Sequence, residues 1–181
     1  MRIQLPEKVS KIINCLTEAG DTLLGRTPGD WDITTSAKPA EVKALFGRTI
    51  DTGILHGTVT VMLGKEGFEV TTYRIDGEYE DARHPKNVVY TANLLEDLKR
   101  RDFTINAMAY NDAEGLIDVF DGIADLKKGV IRCVGDPMDR FGEDALRMLR
   151  AVRFAAQLGF SIEEKTRGAI ISLAPNLSRI S

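Results

Sequence analysis

The chain has 181 residues, 43% of them hydrophobic and 28% charged, the balance of a globular protein rather than a disordered one. That length suits one domain, or one domain and the start of a second. With 27 acidic residues against 24 basic ones the net charge is −3, so any contact with nucleic-acid phosphates must come from local basic patches, not from the field of the whole protein.

The chain opens with a helical pattern over residues 6–19, where Val9, Ile12, Ile13 and Leu16 share a face and Pro6 sits at a helix start. Gly25 to Pro28 reads as a turn and Trp31 to Thr35 as a short strand. Ser36 is then placed to cap a helix from Pro39 to Phe46, with Glu41 in its first turn. Gly57 to Leu63 and Phe68 to Ile75 alternate as strands around a Gly64-Lys65-Glu66-Gly67 hairpin turn. Residues 76–90 are polar, contain Gly77 and Pro85, and predict a mobile loop. Leu94 to Arg101 predicts a helix ending in cations, and Leu116 to Phe120 another strand. Asp136-Pro137 opens a helix, and Glu143 to Leu158 predicts a continuous one whose buried stripe is Leu146, Leu149, Val152 and Ala156. Gly159 ends it and Ser161 caps the next.

This order predicts an α+β unit over residues 1–135 and an all-helical unit from 136 to 181. The second is too short to close its own core, which predicts a truncated chain. Cys15 and Cys133 are far apart, with no other cysteine or histidine at ligand spacing, and read as small buried residues. His56 and His84 are the only histidines, which excludes a histidine-rich metal site. No stretch is long and apolar enough to span a membrane, and the N-terminus lacks a signal-peptide pattern, so a cytoplasmic protein is expected.

Four places carry possible chemistry. In Gly29-Asp30-Trp31-Asp32-Ile33, a strand would turn Asp30 and Asp32 to the same face. Two adjacent carboxylates repel, and a bound hard cation such as Mg²⁺ resolves the repulsion; a solvated turn is the alternative. Glu69, between Phe68 and Val70, is either a third carboxylate for such a site or a solvent-facing strand residue. Lys99-Arg100-Arg101 closes a helix and either meets phosphates or compensates the helix dipole. Asp144 and Arg147 are three apart in a helical pattern, with Arg150 and Arg153 following, and either read a base edge or form an ordinary salt bridge.

Taken in order, several segments resemble one family. Leu23 to Thr35, with its Gly29-Asp30-Trp31-Asp32 core, resembles a catalytic motif, and Thr52-Gly53-Ile54-Leu55-His56-Gly57-Thr58-Val59-Thr60-Val61 follows it. Arg100-Arg101-Asp102-Phe103-Thr104-Ile105-Asn106-Ala107 resembles a nucleotide-sugar motif, and Asp139 to Phe154 a base-selecting helix. The family is that of class II CCA-adding tRNA nucleotidyltransferases and bacterial poly(A) polymerases, in the polymerase-β superfamily, and the resemblance covers nearly the whole chain. It implies a nucleotidyltransferase head with a mixed sheet and flanking helices, followed by the start of a helical neck. It implies catalytic metal binding by Asp30 and Asp32, with Glu69 completing the carboxylate set. Arg101 would hold the nucleotide, Asp144 and Arg147 would select CTP or ATP, and Arg150 and Arg153 would support them. The implied partners are CTP, ATP and the 3′ end of tRNA, with no membrane. The alternatives are a poly(A) polymerase, an enzyme adding only CC or only A, and a non-catalytic nucleotide- or RNA-binding or folding fragment.

One segment departs from the family pattern. The family places Gly-Gly-x-Val-Arg-Asp before Leu-Leu-Gly; here Gly20-Asp21-Thr22-Leu23-Leu24-Gly25 follows the first helix directly. The glycine pair and the arginine are missing and only Asp21 remains. Weak triphosphate binding is therefore expected.

Overall fold

A computed structural model of the chain describes residues 24–25, 32–77, 79 and 85–179. The first predicted helix, Cys15, Asp21, Asp30 and His84 lie outside the described residues.

Four strands form a mixed sheet. β1 (Ile33–Thr35) runs parallel to β4 (Glu66–Thr72), and β3 (Thr58–Leu63) pairs antiparallel with both β4 and β2 (Thr49–Gly53), giving the order β1-β4-β3-β2. The predicted alternation holds. Val59, Val61, Phe68, Val70 and Ile33 are buried, and Val42 of α1 (Pro39–Leu45) joins Ile33, Val61, Phe68 and Val70 in the core. In a parallel pair, residues in register share a face, and Ile33 is in register with Val70. Asp32 and Glu69, one step earlier on each strand and both exposed, therefore belong to the opposite, polar face. The cap of α1 is Lys38 rather than Ser36: the Lys38 amide donates to the Glu41 carboxylate at 2.6 Å, and Ser36 is spent in the bend before it.

The predicted mobile loop is partly a hairpin. β5 (Arg74–Asp76) pairs antiparallel with β6 (Val88–Tyr90). Backbone pairing orders the two ends of this segment. The predicted strand from Phe68 to Ile75 is interrupted at Tyr73, where the chain leaves one sheet and enters the hairpin.

Next come α2 (Leu94–Lys99), capped by the Asn93 side chain on the Leu95 amide, then β7 (Met108–Asn111) and β8 (Gly115–Asp118) as an antiparallel pair. α3 (Gly122–Lys128) packs against the Thr104–Asn106 turn so closely that a Cβ on Gly122 would collide with the Thr104 carbonyl and the Met108 sulfur. β9 (Val130–Ile131) leads to α4 (Pro137–Glu143), capped as expected by Asp136, whose carboxylate accepts from the Met138 amide at 2.7 Å.

The predicted helix from Glu143 to Leu158 is two helices. Asp144 is extended (φ −138°, ψ 101°) and ends α4; α5 (Leu146–Leu158) starts after it. The side chain of Asp144 competes with the helix for a backbone donor, accepting from the Leu146 amide at 2.9 Å. The predicted stripe on α5 is displaced as well. Met148 and Ala151 are buried, with Phe154, Ala155 and Leu158 against the core, while Leu149 and Val152 are 50% and 53% exposed. Two apolar stripes fit the same helical period, and the one flanked by paired arginines faces inward. Gly159 ends α5 with φ 70°, as predicted. Ser161 does not cap the next helix: it lies in β10 (Ser161–Ile162), parallel to β9, and Glu163 caps α6 (Glu164–Leu173) by accepting from the Thr166 amide.

One apolar core runs through all of this. Ile33, Val61 and Val70 from the sheet join Phe103, Ile105 and Tyr110 from the middle of the chain and Phe141, Met148 and Ala151 from the helices after residue 135. Phe103 and Phe154 meet edge to face with ring centres 5.9 Å apart.

Candidate active site

A cavity of about 820 Å³ opens between β5, the segment that follows α2, and α5. Asp32, Arg101, Asp144, Arg147 and Arg150 line it together, although they come from three separate stretches of sequence. Glu69 is exposed on the same polar face as Asp32, but it is not among the lining residues. Arg153 is also outside the lining; its guanidinium lies over the Phe154 ring at 5.1 Å, and that of Arg150 at 5.3 Å.

Two sides of the cavity differ in character. The carboxylate side ends at Asp32, immediately before β1, where a polar sheet face emerges into solvent. Among the described residues no cluster of three carboxylate, histidine or cysteine groups forms a metal cage. Asp32 and Glu69 supply hard oxygen donors on one face, the donor type that Mg²⁺ accepts, and Asp30 lies outside the described residues.

The arginine side is built around Asp97, whose accessibility is 0%. Its carboxylate accepts from Arg100 Nε and Nη2 at 2.9 and 2.8 Å, from Arg101 Nη2 at 3.3 Å and from the Arg74 amide at 3.1 Å. Burial alone would raise its pKa; the charges of Arg100 and Arg101 outweigh burial and hold it below the usual carboxylate range. Asp76 takes a second set of donors: Arg74 Nε at 3.1 Å, the Tyr79 hydroxyl at 3.0 Å and Arg100 at 3.7 Å. Burial, then the charge of Asp76, pushes the Tyr79 phenol up to about 12. Burial and the neighbouring Arg100 charge lower the pKa of Arg74, whose guanidinium also donates to the His56 carbonyl.

The helices after residue 135 reach into this network through three arginines. Arg140 donates to the Lys99 carbonyl at 3.5 Å, Arg147 to the Arg100 carbonyl at 3.0 Å, and Arg150 to the Asp102 carboxylate at 2.6 Å. Asp102 also accepts from the Phe103 amide and the Asn106 side chain at 2.8 and 3.2 Å. Arg147 is 7% exposed; it also donates to Glu143 at 3.3 Å and lies 3.9 Å from the Asp144 carboxylate. The expected Asp144–Arg147 pair therefore exists, but across the break between α4 and α5 and not along one helix face.

Sequence reasoning missed Asp97, Asp76, Tyr79 and the support role of Asp102. Asp97 carried a signal, standing three and four residues before Arg100 and Arg101 at helical pairing distances. Asp76 and Tyr79 carried none, because a local pattern does not announce a hairpin that meets α2.

Residues 19–132 match the Poly A polymerase head domain family. The chain belongs to this family. A curated member-like relative, the CCA-adding enzyme of Leuconostoc mesenteroides, is 56% identical over 161 residues, covering 89% of this chain and 40% of the relative. Among solved structures, the Bacillus stearothermophilus CCA-adding enzyme in complex with CTP superposes with a TM-score of 0.85 at 46% identity, over 93% of this chain and 40% of that one. The Thermotoga maritima CCA-adding enzyme complexed with tRNA superposes with a TM-score of 0.71 at 30% identity, over 93% and 39%. The chain thus spans about two fifths of the length of these relatives. The fold of this Poly A polymerase head is the α+β nucleotidyltransferase architecture, a mixed sheet with flanking helices, and nucleotidyltransferases generally use divalent metal ions. No helix among the described residues is long and apolar enough to cross a membrane.

Proposed function

We propose that the protein to which this chain belongs is a cytoplasmic enzyme that adds C and A nucleotides from CTP and ATP to the 3′ end of tRNA without a nucleic-acid template. The observation that carries this reading is the single cavity shared by Asp32, Arg101, Asp144 and Arg147. One carboxylate, one guanidinium and an Asp–Arg pair within one small-molecule volume support a metal, a nucleotide and a base in those respective places.

In this reading Asp30 and Asp32 hold Mg²⁺, and Glu69 adds a carboxylate on the same face. The ion would favour ionisation of the attacking RNA 3′ hydroxyl and neutralise the pyrophosphate that leaves. Arg101 holds the nucleotide, and Arg150 and Arg153, on α5 with Arg147, support the selecting pair. Asp144 offers acceptors and Arg147 donors, so the pair matches the exocyclic amine and ring nitrogen that cytosine and adenine share. Guanine and uracil present a carbonyl to the Asp144 acceptor and are disfavoured. The division into a head over 1–135 and the start of a neck over 136–181 is part of this proposal.

The test is to incubate the full-length protein with tRNA lacking its CCA end, CTP and ATP, and to sequence the product. Addition of C, C and A is expected. A long adenylate tail would make the enzyme a poly(A) polymerase, and no incorporation would overturn the reading. The missing Gly-Gly-x-Val-Arg segment favours a second outcome for the 181-residue chain alone: little or no incorporation of labelled CTP. Robust synthesis by that chain would show the segment dispensable.

A further inference from the structure

We infer that Asp97 is a positioning residue for nucleotide binding, tethering Arg101 from behind so that its remaining donors face the cavity. The inference rests on the nucleotide reading above and adds a residue to it.

A carboxylate with no accessible surface is costly unless several donors meet it. Asp97 has four, and two of them belong to Arg100, whose guanidinium lies between Asp97 and Asp76, 3.7 Å from the latter. Arg101 is different. Only its Nη2 is held, at 3.3 Å, and its Nε is buried with no hydrogen-bond partner among the described residues. Arg101 also lines the cavity. A buried orphan donor on a guanidinium anchored at one end points to an acceptor delivered by a ligand, here an oxygen of the nucleotide. Arg74, Arg100 and Arg147 line the same cavity together with Asp32, Asp76, Asp102 and Asp144, and Asp97 is the carboxylate that holds Arg101. With Asp97 neutralised, Arg101, whose side chain is already 19% exposed, loses this ion pair and can turn towards solvent.

Two measurements on the full-length protein test this. The first is the dissociation constant for CTP, by equilibrium dialysis, in the wild type, Asp97→Asn, Arg101→Ala and the double variant. Asp97→Asn is expected to weaken CTP about tenfold, and the double variant to bind no worse than Arg101→Ala alone, because one residue acts through the other. Unchanged affinity in Asp97→Asn, or losses that add in the double variant, would overturn the inference. The second measurement needs no nucleotide: the rate at which phenylglyoxal modifies Arg101, mapped by mass spectrometry. Release of the tether should accelerate it in Asp97→Asn, and an unchanged rate overturns the tether. Should Asp97→Asn not fold, Asp97→Glu keeps the charge and displaces it by one methylene. That variant is expected to melt near the wild type and still lose CTP affinity, and wild-type affinity would sink the proposal. If the wild type itself binds no CTP, the nucleotide reading falls, while the labelling rates still decide whether Asp97 holds Arg101.

Discussion

The two sides of the cavity are built on opposite principles. The carboxylate side comes from strand alternation: Asp32 stands on the polar sheet face because Ile33 and Val70 share the buried one, with the exposed Glu69 on that face outside the lining. The arginine side comes from buried ion pairs, with Arg100, Arg101 and Arg147 fixed against Asp97, Asp76 and backbone carbonyls before any ligand arrives. An exposed carboxylate keeps its charge without a buried counter-charge. A guanidinium wall must be pre-organised, because several like charges in one place would otherwise repel.

The comparison is broken most severely on the carboxylate side. Asp32→Ala in the full-length protein is expected to reduce nucleotide incorporation about a thousandfold, or about 4 kcal/mol of transition-state stabilisation, with the melting temperature unchanged. Full incorporation by this variant would remove Asp32 from the metal site. The buried side fails by unfolding instead. Phe103→Ala removes a ring with 0% exposure that joins the core to Phe154, and should cost about 3–5 kcal/mol in urea unfolding.

A subtler break concerns selection. Asp144→Ala should raise kcat/KM for UTP and GTP relative to CTP and ATP by about tenfold, the worth of one unpaired group in a closed pocket. An equal loss towards all four nucleotides would reduce Asp144 to its bond with the Leu146 amide. The smallest effect sharpens the comparison through pH. The folded Asp97 pKa lies below its ordinary value of 3.8. As pH falls, the unfolded chain therefore takes up the proton first, so the stabilisation is present above that ordinary value and lost as pH drops through the folded one. Thermal melts from pH 6 to 3 should show an acid decline that Asp97→Asn flattens; an identical decline in the variant would show that other carboxylates dominate.

What could be read in the sequence follows the same division. Strand alternation exposes Asp32 and Glu69 to inspection, and Asp136 and Gly159 announce helix ends through local chemistry that the structure reproduces. Short paired strands were only partly legible: Arg74 and Ile75 fell at the end of the predicted strand, while Val88–Tyr90 fell in the predicted loop and is ordered by pairing with Arg74–Asp76. The stripe on α5 was misread because Leu149 and Val152 fit the helical period as well as Met148 and Ala151 do, and only the partners of Arg147 and Arg150 decide the rotation. The break at Asp144 was hidden because an aspartate that takes a backbone donor from the next helix looks, in sequence, like one more helical residue.

Arg140 and Arg147 bond the carbonyls of Lys99 and Arg100, at the C-terminal end of α2, from helices some forty residues further along the chain. A short helix ends with unmatched carbonyls and a partial negative charge, and here the cations that answer it are supplied in trans. Neither α2 nor the helices from residue 137 onward can therefore melt alone without stranding the other's charges. Together with a core that crosses residue 135, this predicts that the residues before and after 135 unfold together.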